Sequence, residues 1–368
     1  MTRLREALKD LAEEAPPVSL VDAAIAGHRR RRRTRLAVTA VVTAAALMAT
    51  TAGATVFWPR GGQVATPQRE GTVPDLPDGK VGAIGYAYQT PCYVSADRQV
   101  IDCRRVAWQV VTRTGTTYRV PQALVTTSKG NDIPVAVSRD GRMLAYYSRA
   151  AQAHVVRDLV SGQETTSPVA VKEDQIKMGN QLVVSDDGRY VAFDPHVNHK
   201  EPGLLIDMRT GKAVSIPREY EPISIKDGVV ELVRYVKTDL WLMPVTGGGK
   251  PVRFEGAYIN FSELAPDGRT VVASYFKDLQ AGTPMLSLLD TKTGRTLRKV
   301  PVRGLPKRSG IFRTSVWQSP SEVVVLSMAG KNNSTYLVNV NTGKARHLAD
   351  YPHHLKTRLI LPGAAGGK

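Results

Sequence analysis

VSRDGRMLAYYS at 137–148, VSDDGRYVAFDP at 184–195 and LAPDGRTVVASYF at 264–276 are one pattern written three times, and a weaker copy, SIKDGVVEL, fills 224–232. In each, an Asp-Gly pair separates two short apolar runs. Glycine reaches positive φ without a Cβ clash, so Asp-Gly between alternating apolar residues is a strong hairpin signal. Each copy therefore predicts two antiparallel strands, joined at Asp140 and Gly141, Asp187 and Gly188, Asp227 and Gly228, or Asp267 and Gly268. These four glycines lie 47, 40 and 40 residues apart.

A second element follows each first one: VRDLVSGQETT, LIDMRTGKAVSI, LLDTKTGRTLRKV and LVNVNTGKARHLA, with looser versions VVTRTGTTYRV and LMPVTGGGKPVRF. Its turn glycines are Gly115, Gly162, Gly211, Gly247, Gly294 and Gly343, spaced by 47, 49, 36, 47 and 49 residues. Where both turns are present, 19 to 26 residues separate them, room for two hairpins per unit. Four strands in each of six long-period units describe a β-propeller better than a sandwich. The expectation is an all-β, six-bladed propeller over 79–361. Closing the ring removes unpaired edges, so TRLIL at 357–361 is expected to pair with the strand near VGAIGYAY. Residues 362–368 read as a flexible tail.

The copies S-x-D-G-R-x-h-A-h, with h apolar, resemble blades of TolB-like and WD-repeat-like bacterial propellers, over roughly 78–349. The third copy has Ala265 in place of the serine, and WQSPSEVVVLSMAG stands where the sixth is expected. The resemblance implies a six-bladed ring and little about function, because that scaffold hosts many activities.

The chain shows no assembled chemistry. An Asp before a turn glycine bonds its own backbone, which accounts for Asp140, Asp187 and Asp267. Sialidase-type boxes need an extra residue between Asp and Gly and a later Trp. Asp207 and Asp290, in D-x-x-T-G, resemble quinoprotein blade turns but lack the following Trp. His196 and His199, in DPHVNHK, are the best metal pair, yet they lack the H-E-x-x-H carboxylate and i, i+4 spacing. Neither a G-x-S-x-G elbow, a P-loop nor a dinucleotide fingerprint occurs. The 25 residues after Gly343 leave no room for the hydrolase domain that follows some propellers. No catalytic residue, cofactor or metal site is expected; the alternative is a hydrolase-type enzyme whose residues converge in the central funnel from different blades.

Ahead of the repeats, Arg29, Arg30, Arg31, Arg32, Arg33 and Arg35 precede LAVTAVVTAAALMATTAGATVFW, 23 residues without a charge. As a helix that run is roughly 34 Å long, enough for a hydrocarbon core of about 30 Å. Arginines beside a span stay cytoplasmic. The expected layout is a cytoplasmic arm at 1–28, a polybasic stop at 29–35, one transmembrane helix at 36–58, a linker at 59–78 and an extracytoplasmic propeller. A cleaved secretory signal, with Ala52, Gly53 and Ala54 at the cleavage site, is the competing reading; the 35 residues before the run and its length argue against it.

In the arm, Leu4, Leu8 and Leu11 form a helical stripe ended by Pro16 and Pro17, a face for a cytoplasmic protein or the inner leaflet. The layout is similar to single-pass anti-sigma factors, without the cysteines of their zinc-binding members. Cys92 and Cys103, in CYVSADRQVIDC, face each other if two strands fold about the point between Asp97 and Arg98. Outside the cytoplasm that pair is expected to oxidise. Residues 61–368 carry 40 Lys and Arg against 28 Asp and Glu, or +12, which favours an anionic wall or lipid partner. Nucleic acid is not indicated, since the arginine run is explained by topology. The functional expectation is a membrane-anchored, non-enzymatic binding or sensor module.

Overall fold

The computed structural model describes residues 73–94, 101–103, 105–195, 201–235, 237–280, 282, 284–307, 309–329, 332–352, 355 and 359–367. The arm, the arginines of 29–35, the 36–58 segment, most of the linker, and His196 and His199 lie outside these residues. Among the described residues no helix is long and apolar enough to cross a membrane.

Six four-stranded antiparallel sheets form the six blades of a propeller. Blade 2 runs through Ala136–Val137, Met143–Ser148, Ala153–Asp158 and Glu164–Ala170, and blades 3 to 6 repeat that order from Gln181–Val184, Glu221–Lys226, Tyr258–Ile259 and Gly310–Ser319. Blade 1 is composite. Its sheet order is Leu359–Ile360, Ile84–Gln89, Trp108–Thr112 and Thr117–Arg119, so the strand from the far end of the chain closes the ring, as expected. The register pairs Tyr88 with Leu359 and Ala87 with Ile360. Among the described residues helix is almost absent: a five-residue turn of α-helix at Phe276–Gln280 and a 3₁₀ turn at Glu173–Gln175.

In blades 2 to 6 the second strand is buried on both faces, which is why MLAYYS and TVVASY read as continuous apolar runs rather than alternating ones. Each blade lies between two others, and the core accordingly divides by interface. Ile84, Val110, Val137 and Leu144 join blades 1 and 2, while Leu326, Tyr351, Leu359 and Leu361 join blades 6 and 1 across the closing strand.

The two turn motifs are linked by charge. In blade 2 Asp140 Oδ1 accepts from Ser138 Oγ at 2.6 Å and Arg142 N at 2.9 Å. Blade 3 repeats this with Asp187, Ser185 and Arg189. In blade 5, where Ala265 replaces the serine, the Thr270 hydroxyl takes that place on Asp267 at 2.6 Å. The Arg of each Asp-Gly-Arg then pairs with the Asp of the second turn in its own blade: Arg142 with Asp158, Arg189 with Asp207, Arg269 with Asp290. Asp207 and Asp290 also cap their own turns, accepting from Arg209 N and Lys292 N. Hydrogen bonding to the guanidinium holds the carboxyls of Asp158 and Asp290 well below the usual range, and that of Asp207 at about 2.

In blades 3 to 6 the second-turn glycines lie against the outermost strand of the preceding blade. A Cβ on Gly294 would stand 1.9 Å from Arg253 O, and one on Gly343 2.1 Å from Pro301 O. Both residues have φ of +72°. Gly211 similarly meets Pro168. In blade 4 the turn is tighter: Lys226 pairs with Val229, and both Asp227 and Gly228 have positive φ, a two-residue hairpin of the primed type.

Two expectations about boundaries change. Residues 74–76 of the expected linker pack on blade 1, with Leu76 buried and hydrogen bonds exchanged between Arg119 and residues 74 and 76. The expected flexible tail at 362–368 is instead, over 362–367, an inserted segment bonded inside the ring. Gly363 N donates to Val137 O, and Gly366 and Leu182 exchange both backbone hydrogen bonds. Glycine is required there by space, since a Cβ on Gly366 would lie 1.9 Å from Val135 O.

Candidate functional site

The channel along the propeller axis is walled by the first strands of the blades and partly filled by residues 361–367. Ser315 Oγ donates to Pro362 O at one end, and a Cβ on Gly367 would meet Asn180 O at the other. Beside this segment a cavity of about 480 Å³ remains, lined by Gln181, Tyr235, Asn260, Glu263, Phe312 and Arg313 among others. A second cavity of about 460 Å³, between Trp108, Asp132 and Met178, shares Arg313 and Gly367 with the first. Arg313 therefore separates the two. Its guanidinium donates to Ala365 O at 3.2 Å and Gly367 O at 3.4 Å, and burial lowers its pKa.

At the end of the channel carrying the Asp-Gly turns, ionisable groups from four blades do converge. Arg139 Nε donates to Glu263 Oε1 at 2.9 Å, and Arg139 N to Asp186 Oδ1 at 2.9 Å. Glu263, 2% exposed, also accepts from Trp317 N at 2.9 Å and lies 3.6 Å from Lys226 Nζ. Burial, with help from Asp140, raises the Asp186 carboxyl to about 6. Glu231, behind this group, hydrogen-bonds Ser224 Oγ at 3.1 Å, and burial pushes its carboxyl up to about 8. None of these five residues was singled out by motif. The only sequence signal was positional: Arg139, Asp186 and Lys226 flank the Asp-Gly pairs.

The Asp and Gly residues that were singled out are placed in turns. His154 is a core histidine between the rings of Tyr147 and Phe193, and burial lowers its pKa to about 3. Among the described residues no group of three or more His, Cys, Asp or Glu side chains is placed to hold a metal ion. Cys92 and Cys103 form a disulfide with Cα atoms 4.3 Å apart. The pairs Tyr93 with Asp102 and Val94 with Ile101 continue the register of the cysteines, on a small hairpin inserted between two strands of blade 1. Tyr93 and Ile101 are exposed at 65% and 68%.

No protein-family model and no curated protein sequence matches the chain. Among solved structures it is similar to TolB from Acinetobacter baumannii, at 17% identity and TM-score 0.45, over 77% of this chain and 65% of that one. A β-propeller domain of Cps50 (Swd1) from Myceliophteria thermophila is similar at 11% identity and TM-score 0.41, over 73% and 87%. An oligogalacturonate lyase solved in complex with manganese is similar at 14% identity and TM-score 0.41, over 66% and 70%. The chain thus spans slightly less than two thirds of the TolB chain. Its six-bladed ring is read from its own sheets.

Proposed function

We propose that this chain is a membrane-anchored, extracytoplasmic propeller that binds a ligand rather than transforming it, and that its arm over 1–28 reports binding to a cytoplasmic protein. The observation that carries the non-enzymatic reading is the state of the groups meeting at the channel end. Catalysis needs an acid or base that can reach a substrate proton. Glu263 has its carboxylate occupied by Arg139, the Trp317 N–H and Lys226, Asp186 accepts from Arg139 N, and Glu231 is 2% exposed and does not line the axial cavity. A carboxylate held by donors from three other blades acts as a bracket between them. The anchor rests on the 36–58 segment and its six preceding arginines, and the disulfide is consistent with an oxidising compartment. The +12 charge of residues 61–368 favours an anionic wall polymer or lipid surface as the outer partner.

The test compares the full chain with a version lacking residues 1–28, both recovered from membranes after crosslinking in intact cells. A cytoplasmic protein captured by the full chain and lost with the arm supports the reporting role. Thiols of Cys92 and Cys103 that react with an impermeant maleimide only after reduction place the propeller outside. Recovery of the chain as a soluble species cut near Ala54 refutes the anchor and the reporting role together.

A further inference from the structure

Many arginines of the ring are paired with carboxylates, and Arg313 is not. Arg139 has Glu263, Arg157 has Glu164, Arg189 has Asp207, and Arg234 shares Asp239 with Arg253. Arg313 lines the axial cavity and, among the described residues, has no carboxylate in ion-pair range; its two contacts are carbonyl oxygens at 3.2 and 3.4 Å, at the long end for hydrogen bonds to a guanidinium. A guanidinium matches a carboxylate or phosphate edge with two parallel donors, and a buried charge without such a partner is costly. The cavity it faces supplies the room. Gly363 and Gly367 line one side of the cavity without side chains, and Phe312, 36% exposed, lines it on the blade 6 side.

A second group in the same cavity is also incomplete. Gln181 is 2% exposed; its Nε2 donates to Glu221, and its Oε1 has no hydrogen-bond partner. A buried acceptor left unsatisfied is normally met by a donor from a ligand or water. Glu263, the acidic group that lines this cavity, does not oppose an anion strongly, because Arg139 and Lys226 already neutralise it.

We infer that the axial cavity beside Arg313 binds a small molecule carrying an oxyanion, held by the Arg313 guanidinium, and a hydroxyl or amine donor, held by Gln181 Oε1. The basic surface of the domain draws such anions in, and the inserted segment 361–367 limits the site to small molecules. The site deepens the binding role proposed above and rests on it. Its failure is separable, because anion affinity is read without reference to the arm or the membrane.

The experiment is calorimetric titration of the purified full chain in detergent at constant ionic strength with malate, succinate and glycerol 3-phosphate. Malate and succinate differ by one hydroxyl. Glycerol 3-phosphate replaces the carboxylate by a phosphate and distinguishes a phosphate ligand from a carboxylate one. Saturable binding of malate or glycerol 3-phosphate is expected, with succinate at least tenfold weaker than malate. R313Q is expected to lose at least tenfold in affinity, while R298Q, at an exposed arginine whose side chain donates to Asn341, binds as the parent does. Should R313Q not fold, R313K keeps the charge and loses the two-pronged geometry, and is expected to weaken binding tenfold with an unchanged circular dichroism spectrum. Equal affinities for malate and succinate overturn the role of Gln181. No saturable binding of any of the three, or binding unaffected by both Arg313 substitutions, overturns the site.

Discussion

Replacing Glu231 by glutamine should make the propeller more stable at neutral pH and leave it unchanged in mild acid. In the folded chain burial is the largest cause that lifts this carboxyl from 4.5 to about 8, with Glu263 adding to it and Ser224 and Lys226 opposing it. Unfolding returns the group to its ordinary value, so the folded state holds one more proton than the unfolded state between the two pKa values. Stability then falls as pH rises through that window: the contribution of the protonated form is complete below about 4.5 and exhausted by about 8. The corresponding penalty on the wild type is about 3 kcal/mol at pH 7 by linkage, an order-of-magnitude figure. Glutamine keeps the hydrogen bond to Ser224 and has no proton to lose. Any cost of its extra amide donors is independent of pH, so the slope rather than the offset carries the effect. At roughly 2 °C per kcal/mol for a domain of this size, the melting temperature of E231Q should exceed that of the wild type by about 6 °C more at pH 7 than at pH 4.5. Differential scanning calorimetry on both proteins at half-unit steps checks this. Parallel curves across pH 4.5 to 8 would refute the account, showing that Glu231 is ionised in place or already solvated.

Deleting residues 350–368 removes the closing strand and the inserted segment, and should lower the melting temperature sharply; an unchanged transition would mean the ring does not depend on Leu359–Ile360. Gly366→Ala places a methyl 1.9 Å from Val135 O and should cost about 1 to 3 kcal/mol, read as a lower urea midpoint. The Arg269–Asp290 pair should be lopsided: Asp290, 2% exposed and capping its own turn, should cost about 1 to 3 kcal/mol as Ala, whereas Arg269, 53% exposed, should cost under about 1 kcal/mol as Gln. Equal costs from the two substitutions would show that the ion pair, and not the turn, is what Asp290 supports.

Much of the ring was legible because blades 2 to 5 mark both turn motifs by glycine, and because the cysteine register follows from a midpoint between Asp97 and Arg98. One further signal was present and easily passed over. The copies with Arg after Asp-Gly, at 142, 189 and 269, are the copies with Asp four residues before the second turn glycine, at 158, 207 and 290. Blade 4, with Val229 and Met243, lacks both, and blade 6 has Asn339 without any such arginine. Joint presence and joint absence within one chain is what a salt bridge between two turns leaves in a sequence, and the pairs at Asp158, Asp207 and Asp290 are those bridges.

The axial site was not legible, for a different reason. Arg139, Lys226, Glu231, Glu263 and Arg313 come from four blades, and no local period relates residues that meet only when a ring closes. The inserted segment was misread because LPGAAGG has the composition of a linker. Glycine serves two opposite ends: it frees a chain that has nothing to pack against, and it lets a backbone approach another more closely than any side chain allows. Composition cannot separate these. Contact does, since alanine at Gly363, Gly366 or Gly367 would place a methyl within 2.3 Å of Val316, Val135 or Asn180. A flexible tail tolerates alanine at all three positions, and a segment threaded along the channel tolerates it at none.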